Sequence, residues 1–167
     1  DQRNPLVIRE LQIPAMRGAM GDWVYYVTLL PFSEASERVK RTDEVHTSHL
    51  LREMIQRALT PRSKAIANYL KSQPQRFFNA VVIGVYGGRP QWHGIQVKPS
   101  ELFDPSKLSD RVAESLGILT LRGDEKLFAI DGQHRIEGLK EYEREIGREK
   151  FFALEDEICA IFVAHSN

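Results

Sequence analysis

The residues Phe128-Ala129-Ile130-Asp131-Gly132-Gln133-His134-Arg135-Ile136 have the types and order that can do chemistry. An apolar run ends in Asp-Gly, and a helical pattern begins at once. This reads as a buried strand, a tight turn and a helix start, with Gln133, His134 and Arg135 in the first helical turn. The first N–H groups of a helix have no partner inside it, and the macrodipole makes that end positive. Glycine lets a ligand approach the backbone there, so strand–glycine–helix junctions suit anions and phosphates. An imidazole and a guanidinium in the same turn add donors that match phosphate oxygens. Asp131 reads as an N-cap that accepts N–H bonds from the first turn. Such a carboxylate would repel a phosphate on the same donors. Either the phosphate sits to one side, or a divalent cation bridges the two, or Asp131 orients His134 or a sugar hydroxyl.

Other chemical signals are weaker. His46 and His49 have metal-like spacing without a third ligand nearby, so no metal site built from protein ligands alone is expected. Cys159 lies in a strand-like run and reads as an inert core residue. The glycine-rich phosphate loop ending in Gly-Lys and the Gly-x-Ser-x-Gly elbow are both missing from the sequence.

The elements that must position the turn can be read from pattern. Leu6 to Ile13 reads as a short edge strand ended by Pro14, Met16 to Gly21 as a flexible loop, and Trp23 to Leu30 as a strand. Ser33 is the expected cap of a short helix running to Val39. Leu51, Met54, Ile55 and Ala58 give Ser48 to Leu59 an amphipathic helical period. Thr60-Pro61 then opens a second helix to about Lys71, with Ile66, Tyr69 and Leu70 inward and Arg62 and Lys64 in the first turn. Cations there cost about 0.3–1 kcal/mol each, a penalty that a bound anion reverses.

Ala80 to Tyr86 reads as a strand covered on both faces, turned by Gly87-Gly88-Arg89-Pro90 into a return strand over Trp92 to Val97. Pro99 to Asp110 reads as loop with one helical turn. Ile118 to Leu121 and Lys126 to Ile130 read as a hairpin about Arg122-Gly123-Asp124-Glu125. In the helix after the key turn, Ile136, Leu139, Tyr142 and Ile146 share a face and Gly147 ends it. Gly138 inside that helix implies close packing, and Glu157 to Ala164 closes the fold as a strand. The pattern predicts a compact α+β domain with a mixed sheet, hairpins and several helices.

Composition bounds the function. The 167 residues are 42% hydrophobic and 28% charged, with a formal net charge of zero and one cysteine. They read as one domain, 1–167, of a longer soluble protein in a reducing, cytoplasmic setting, without a membrane partner. Zero net charge excludes a whole-molecule attraction to nucleic acid, but Arg38 to Lys64 carries seven Lys/Arg against Asp43, Glu44 and Glu53. Two solvated helix faces explain that bias, or a basic surface that meets phosphate.

Asp131-Gly132-Gln133-His134-Arg135, between an apolar strand and an amphipathic helix, resembles the signature of the DGQHR-domain family. Its best-known members are the DndB-type proteins of bacterial DNA phosphorothioation systems. The turn is also similar to that of the ParB and sulfiredoxin superfamily, where a Gly-x-His-Arg or Gly-x-Arg-Arg turn holds nucleotide phosphates. Trp23 to Pro31, Gln56 to Leu59, Ile66 to Leu70 and Phe77 to Val82 resemble the family's N-terminal pattern. The resemblance implies a ParB-like fold and a nucleotide-binding, ATP- or GTP-hydrolysing role with Mg2+ in prokaryotic DNA modification or defence. It implies phosphate contacts at Gly132, Gln133, His134 and Arg135, a catalytic or Mg2+-proximal Asp131, and Arg57, Arg62 and Ser63 on facing helices. His134 or Asp131 would orient the attacking water. The alternative is a non-catalytic DNA-binding regulator, with the basic Arg38 to Lys64 stretch (Arg38, Lys40 and Arg41 foremost) as its DNA surface and the Asp131–Arg135 turn gripping backbone phosphate instead of nucleotide. A nuclease or small-molecule kinase is the third reading. DNA and other proteins of the modification system are the expected partners.

Overall fold

The computed structural model describes residues 9–40, 63–73 and 76–165. Along them lie β1 (Leu11–Met20), β2 (Trp23–Pro31), α1 (Phe32–Arg38), β3 (Val39–Lys40), α2 (Ser63–Ser72), β4 (Val81–Tyr86) and β5 (Gln91–Gly94). A 3-10 turn (Pro105–Lys107) and α3 (Asp110–Glu114) lead to β6 (Leu116–Leu121), β7 (Lys126–Asp131), α4 (Gln133–Ile146), α5 (Arg148–Phe152) and β8 (Glu157–His165). The strands form one sheet in the order β3-β7-β4-β8-β2-β1-β6-β5. β3 is parallel to β7 and β4 to β8, and the other neighbours are antiparallel. The expected α+β class is what these residues adopt. Among the described residues no helix is long and apolar enough to cross a membrane.

This sheet cannot be flat. Four-residue links join β6 to β7 and β4 to β5, yet each pair stands five places apart in the strand order. Five steps of a flat sheet span about 24 Å, whereas such a link reaches at most about 18 Å. The sheet therefore coils, in keeping with strand twist. The two links meet at the seam, where a Cβ on Gly88 would lie 2.6 Å from Glu125 Cγ. The Glu125 carboxylate accepts the N–H groups of Arg122 (2.8 Å) and Gly123 (2.9 Å) and so shapes one link.

One core fills the coil and the helical layer. Ile13, Leu119 and Leu121 from β1 and β6 join Ile83, Phe162, Leu70, Ile136, Leu139 and Phe151 in a single buried cluster. α4 packs against α1, α2 and α5, and its Gly138 is buried as the close packing requires.

Several sequence expectations fail, each for a physical reason. β1 does not stop at Pro14 but runs on through the stretch expected to be loop, because it is paired on both sides, to β2 and β6. The missing proline N–H removes one ladder bond among many. β6 and β7 are not a hairpin: β6 pairs with β1 and β5, and β7 with β3 and β4. β5 is likewise not the return partner of β4, whose two edges are taken by β7 and β8. Pro31, not Ser33, is the N-cap of α1. The expected helix at Ser48 to Leu59 and the histidines His46 and His49 lie outside the described residues.

Arg76 fastens the helices to the sheet. Its guanidinium donates to both Asp156 oxygens (3.2 and 3.1 Å), to the Leu70 carbonyl (2.6 Å) and to Tyr142 Oη (3.2 Å). It also lies over the rings of Phe32 and Tyr142. One side chain thus ties the end of α2 to α4 and to the entry of β8. Removing one partner of a largely buried pair leaves the other charge uncompensated. Arg76→Met is expected to lower unfolding free energy by about 2–4 kcal/mol in urea titrations. A loss within experimental error would show that the staple is ornamental.

Candidate functional site

β7 delivers the site turn through an irregularity. Ile83 pairs with Ala129, but Val82 pairs with Asp131, so Ile130 is an extra residue opposite the Val82/Ile83 step. Such a bulge breaks the inside–outside alternation and re-aims the next side chains. Strict alternation would send Asp131 the same way as the buried Ala129; instead Asp131 is exposed. The chain then turns at Gly132, with φ +92° and ψ 24°, directly into α4.

Gly132 is required twice over. Its left-handed backbone disfavours any side chain. A Cβ there would also lie 2.7 Å from Val81 Cγ1 and 3.0 Å from Arg135 Nη2. Strand β4 therefore seats directly against the turn.

The start of α4 has no side-chain cap. The first intrahelical bond runs from the Ile136 N–H to the Gly132 carbonyl (3.1 Å). No side chain caps the helix among the described residues, and its first turn holds no acid. The capping role expected of Asp131 is thus absent, which removes the conflict between a capping carboxylate and a phosphate on the same N–H groups. The amides of Gln133, His134 and Arg135 have no acceptor within the helix.

The three side chains of that turn divide the work. Gln133 is buried and folds back, donating from Nε2 to the Ile130 carbonyl at 2.9 Å. Its amide nitrogen braces the bulge. His134 is half-buried. Arg135 donates from Nη2 to the Ala80 carbonyl at 2.9 Å, while its buried Nε has no hydrogen-bond partner among the described residues. A buried unpaired guanidinium donor is costly, and such groups call for an explanation such as a ligand or water.

A second helix, α2, packs alongside. Lys71 Nζ meets Glu145 Oε2 at 3.1 Å, so the C-terminal ends of α2 and α4 adjoin. The two helices pack along their length and hence run the same way.

Of the other expected residues, Ser63 is the first residue of α2; Arg57, Arg62 and Arg41 lie outside the described residues. Arg38 is nearly buried and its Nε is bonded to Glu34, whereas Lys40 is exposed on edge strand β3. Ala80 and Val81 were not legible as site residues, since only the fold brings β4 to the turn. Asn79, exposed and next to Ala80, joins them at the rim. Among the described residues no group of three or more His, Cys, Asp or Glu could hold a metal ion.

Fold and site together define a mixed α+β domain whose strand–glycine–helix junction suits an anionic group. The chain belongs to the DndB family of DNA-sulfur modification-associated proteins, whose family model matches residues 13–167. No curated protein and no solved structure matches it.

The Gly132–Val81 approach is open to a direct test. Gly132→Ala is expected to cost about 2 kcal/mol or more, from left-handed strain and overpacking together. Combined with Val81→Ala, which clears the space, it should show a favourable coupling of at least about 0.5 kcal/mol. Strict additivity in denaturant titrations would mean that the two residues do not press on each other.

Proposed function

We propose that this chain is a nucleotide-binding domain of a DNA phosphorothioation system, holding ATP or GTP phosphates at the start of α4 and hydrolysing the nucleotide. One observation carries the reading: among the described residues, a helix start without a side-chain cap and with no acid in its first turn, beside a buried Arg135 Nε without a hydrogen-bond partner. Phosphate oxygens supply what this arrangement lacks, a set of acceptors within reach of main-chain N–H groups and a guanidinium. Membership of the DndB family sets the proposal in DNA-sulfur modification, and the ligand class follows from the turn's resemblance to the ParB and sulfiredoxin superfamily.

Each role rests on position. The amides of Gln133, His134 and Arg135 hold the phosphates, and Gly132 admits them close to the backbone. Gln133 keeps the turn in shape from behind. Asp131, exposed after the bulge, or His134 orients water for attack. Asp131 is the carboxylate that would adjoin Mg2+ bound with the nucleotide, and the ion would neutralise charge at the phosphates. Fixed positive groups stabilise the charge that develops on the transferred phosphoryl group. The basic-surface reading gains less support, since Arg38 is engaged with Glu34.

Calorimetric titration of ATP and GTP with Mg2+ tests this on the chain and on Arg135→Ala, with circular dichroism to confirm folding. Loss of a charge-assisted phosphate contact should cost about 1.5–3 kcal/mol, at least tenfold in affinity. Asp131→Asn should retain binding and lose phosphate release. Absence of binding by folded wild-type protein, or unaltered affinity in Arg135→Ala, would overturn the assignment.

A further inference from the structure

One cation stands on the core-facing side of the sheet. Residues paired across antiparallel strands share a side. The buried Ile13, Ala15, Leu30, Leu119 and Phe162 therefore mark the inward positions of β1, β2, β5, β6 and β8. Followed along the strands, those positions reach Arg17 on β1, Tyr26 on β2, Trp92 on β5 and Gly117 on β6. Arg17 is the one charged residue among the inward positions of these five strands. Arg17 is exposed, as are the inward-facing Ala19 and Gly94, so the coil is open to solvent at this end.

The protein gives this guanidinium aromatic rings and no acid. Arg17 lies over the Trp92 ring, 4.9 Å from its centroid, and its side chain makes no hydrogen bond or ion pair among the described residues. Its backbone N–H is bonded to the Ser115 carbonyl (2.8 Å), at the end of α3, yet neither Asp110 nor Glu114 of that helix pairs with it. Tyr26 stands opposite Arg17 in the ladder, with its ring 5.6 Å from that of Trp92. Gly117 seats the indole, since a Cβ there would lie 2.5 Å from Trp92 Cζ2. Both rings are half-buried and pack against the core, which holds them in place.

We propose that Arg17, Trp92 and Tyr26 form a stacking site for a nucleotide unit of single-stranded nucleic acid. A guanidinium backed by an indole offers donors to a phosphate and a plane on which a base can stack, with Tyr26 as a second ring beside it. A carboxylate side chain of a protein would use the donors and leave the rings idle, whereas a nucleotide uses both. Duplex bases are stacked on one another and present no free face. The site is too open to enclose a small ligand, and a strand gains further contacts on either side. None of the three residues belongs to the turn at the start of α4, so this site is independent of the nucleotide reading.

Fluorescence anisotropy of an end-labelled oligothymidylate of about twelve nucleotides, at low salt, tests the proposal. Wild-type protein should bind it saturably, and unlabelled oligothymidylate should compete while its duplex with oligoadenylate does not. Arg17→Ala and Tyr26→Leu should each weaken binding about tenfold with unchanged circular dichroism, and Arg135→Ala should leave it unaltered. Arg17→Lys keeps the charge without the planar group and should fall with Arg17→Ala. Arg17 is exposed, so its variants give the reading if Tyr26→Leu fails to fold. No binding by folded wild-type protein, or unaltered affinity in Arg17→Ala, overturns the proposal. So does equal competition by the duplex, or an Arg17→Lys variant that binds as wild type does.

Discussion

The close seat of Val81 against Gly132 is the constraint on which the site depends. At this junction the strand passes into the helix through a residue that must take a left-handed backbone and have no side chain to collide with β4. Gly132 meets both conditions, with φ +92° and Val81 Cγ1 2.7 Å from where a Cβ would stand. That contact sets the uncapped N–H groups at the start of α4, the reach of Arg135 to the Ala80 carbonyl and the inward fold of Gln133. The bulge at Ile130 completes the arrangement by releasing Asp131 to solvent.

The rest of the fold holds this junction from both sides. Coiling of the sheet brings β1 and β6 into the core shared by the helices, so β4 and β7 are backed by packed side chains. Arg76 binds α2, α4 and β8 at the end of the helices remote from the turn, while Lys71 and Glu145 set α2 and α4 in the same direction. The start of α4 offers helix dipole and main-chain donors at one place without clustering many cations.

The strand–turn–helix junction was largely legible in the sequence because its signal is local. An apolar run, Asp-Gly and an amphipathic period specify strand, turn and helix within nine residues, and the structure places all three there. The N-cap was misread, since Asp before glycine satisfies the capping pattern while the bulge turns its side chain outward. The sheet was less legible. Arg122 to Glu125 carries a sound turn signal and does turn, with Glu125 holding two amides, but a turn signal does not name the partner strand. β6 and β7 part to opposite sides of a coiled sheet, which depends on pairings far apart in the chain. Pro14 shows the same limit: proline usually marks an edge, and here pairing on both sides outweighs one lost donor. The contribution of Ala80 and Val81 was invisible for that reason as well.

The central claim is that the first turn of α4 is where phosphate is held. A titration of 15N-labelled protein with ATP and Mg2+, observed through backbone amide resonances, reads that turn directly. Phosphate held there gives the largest shifts at the amides of Gly132, Gln133, His134 and Arg135, with smaller ones at Ala80 and Val81 across the β4 contact. Saturable binding whose shifts fall elsewhere, with these amides unmoved, would contradict it.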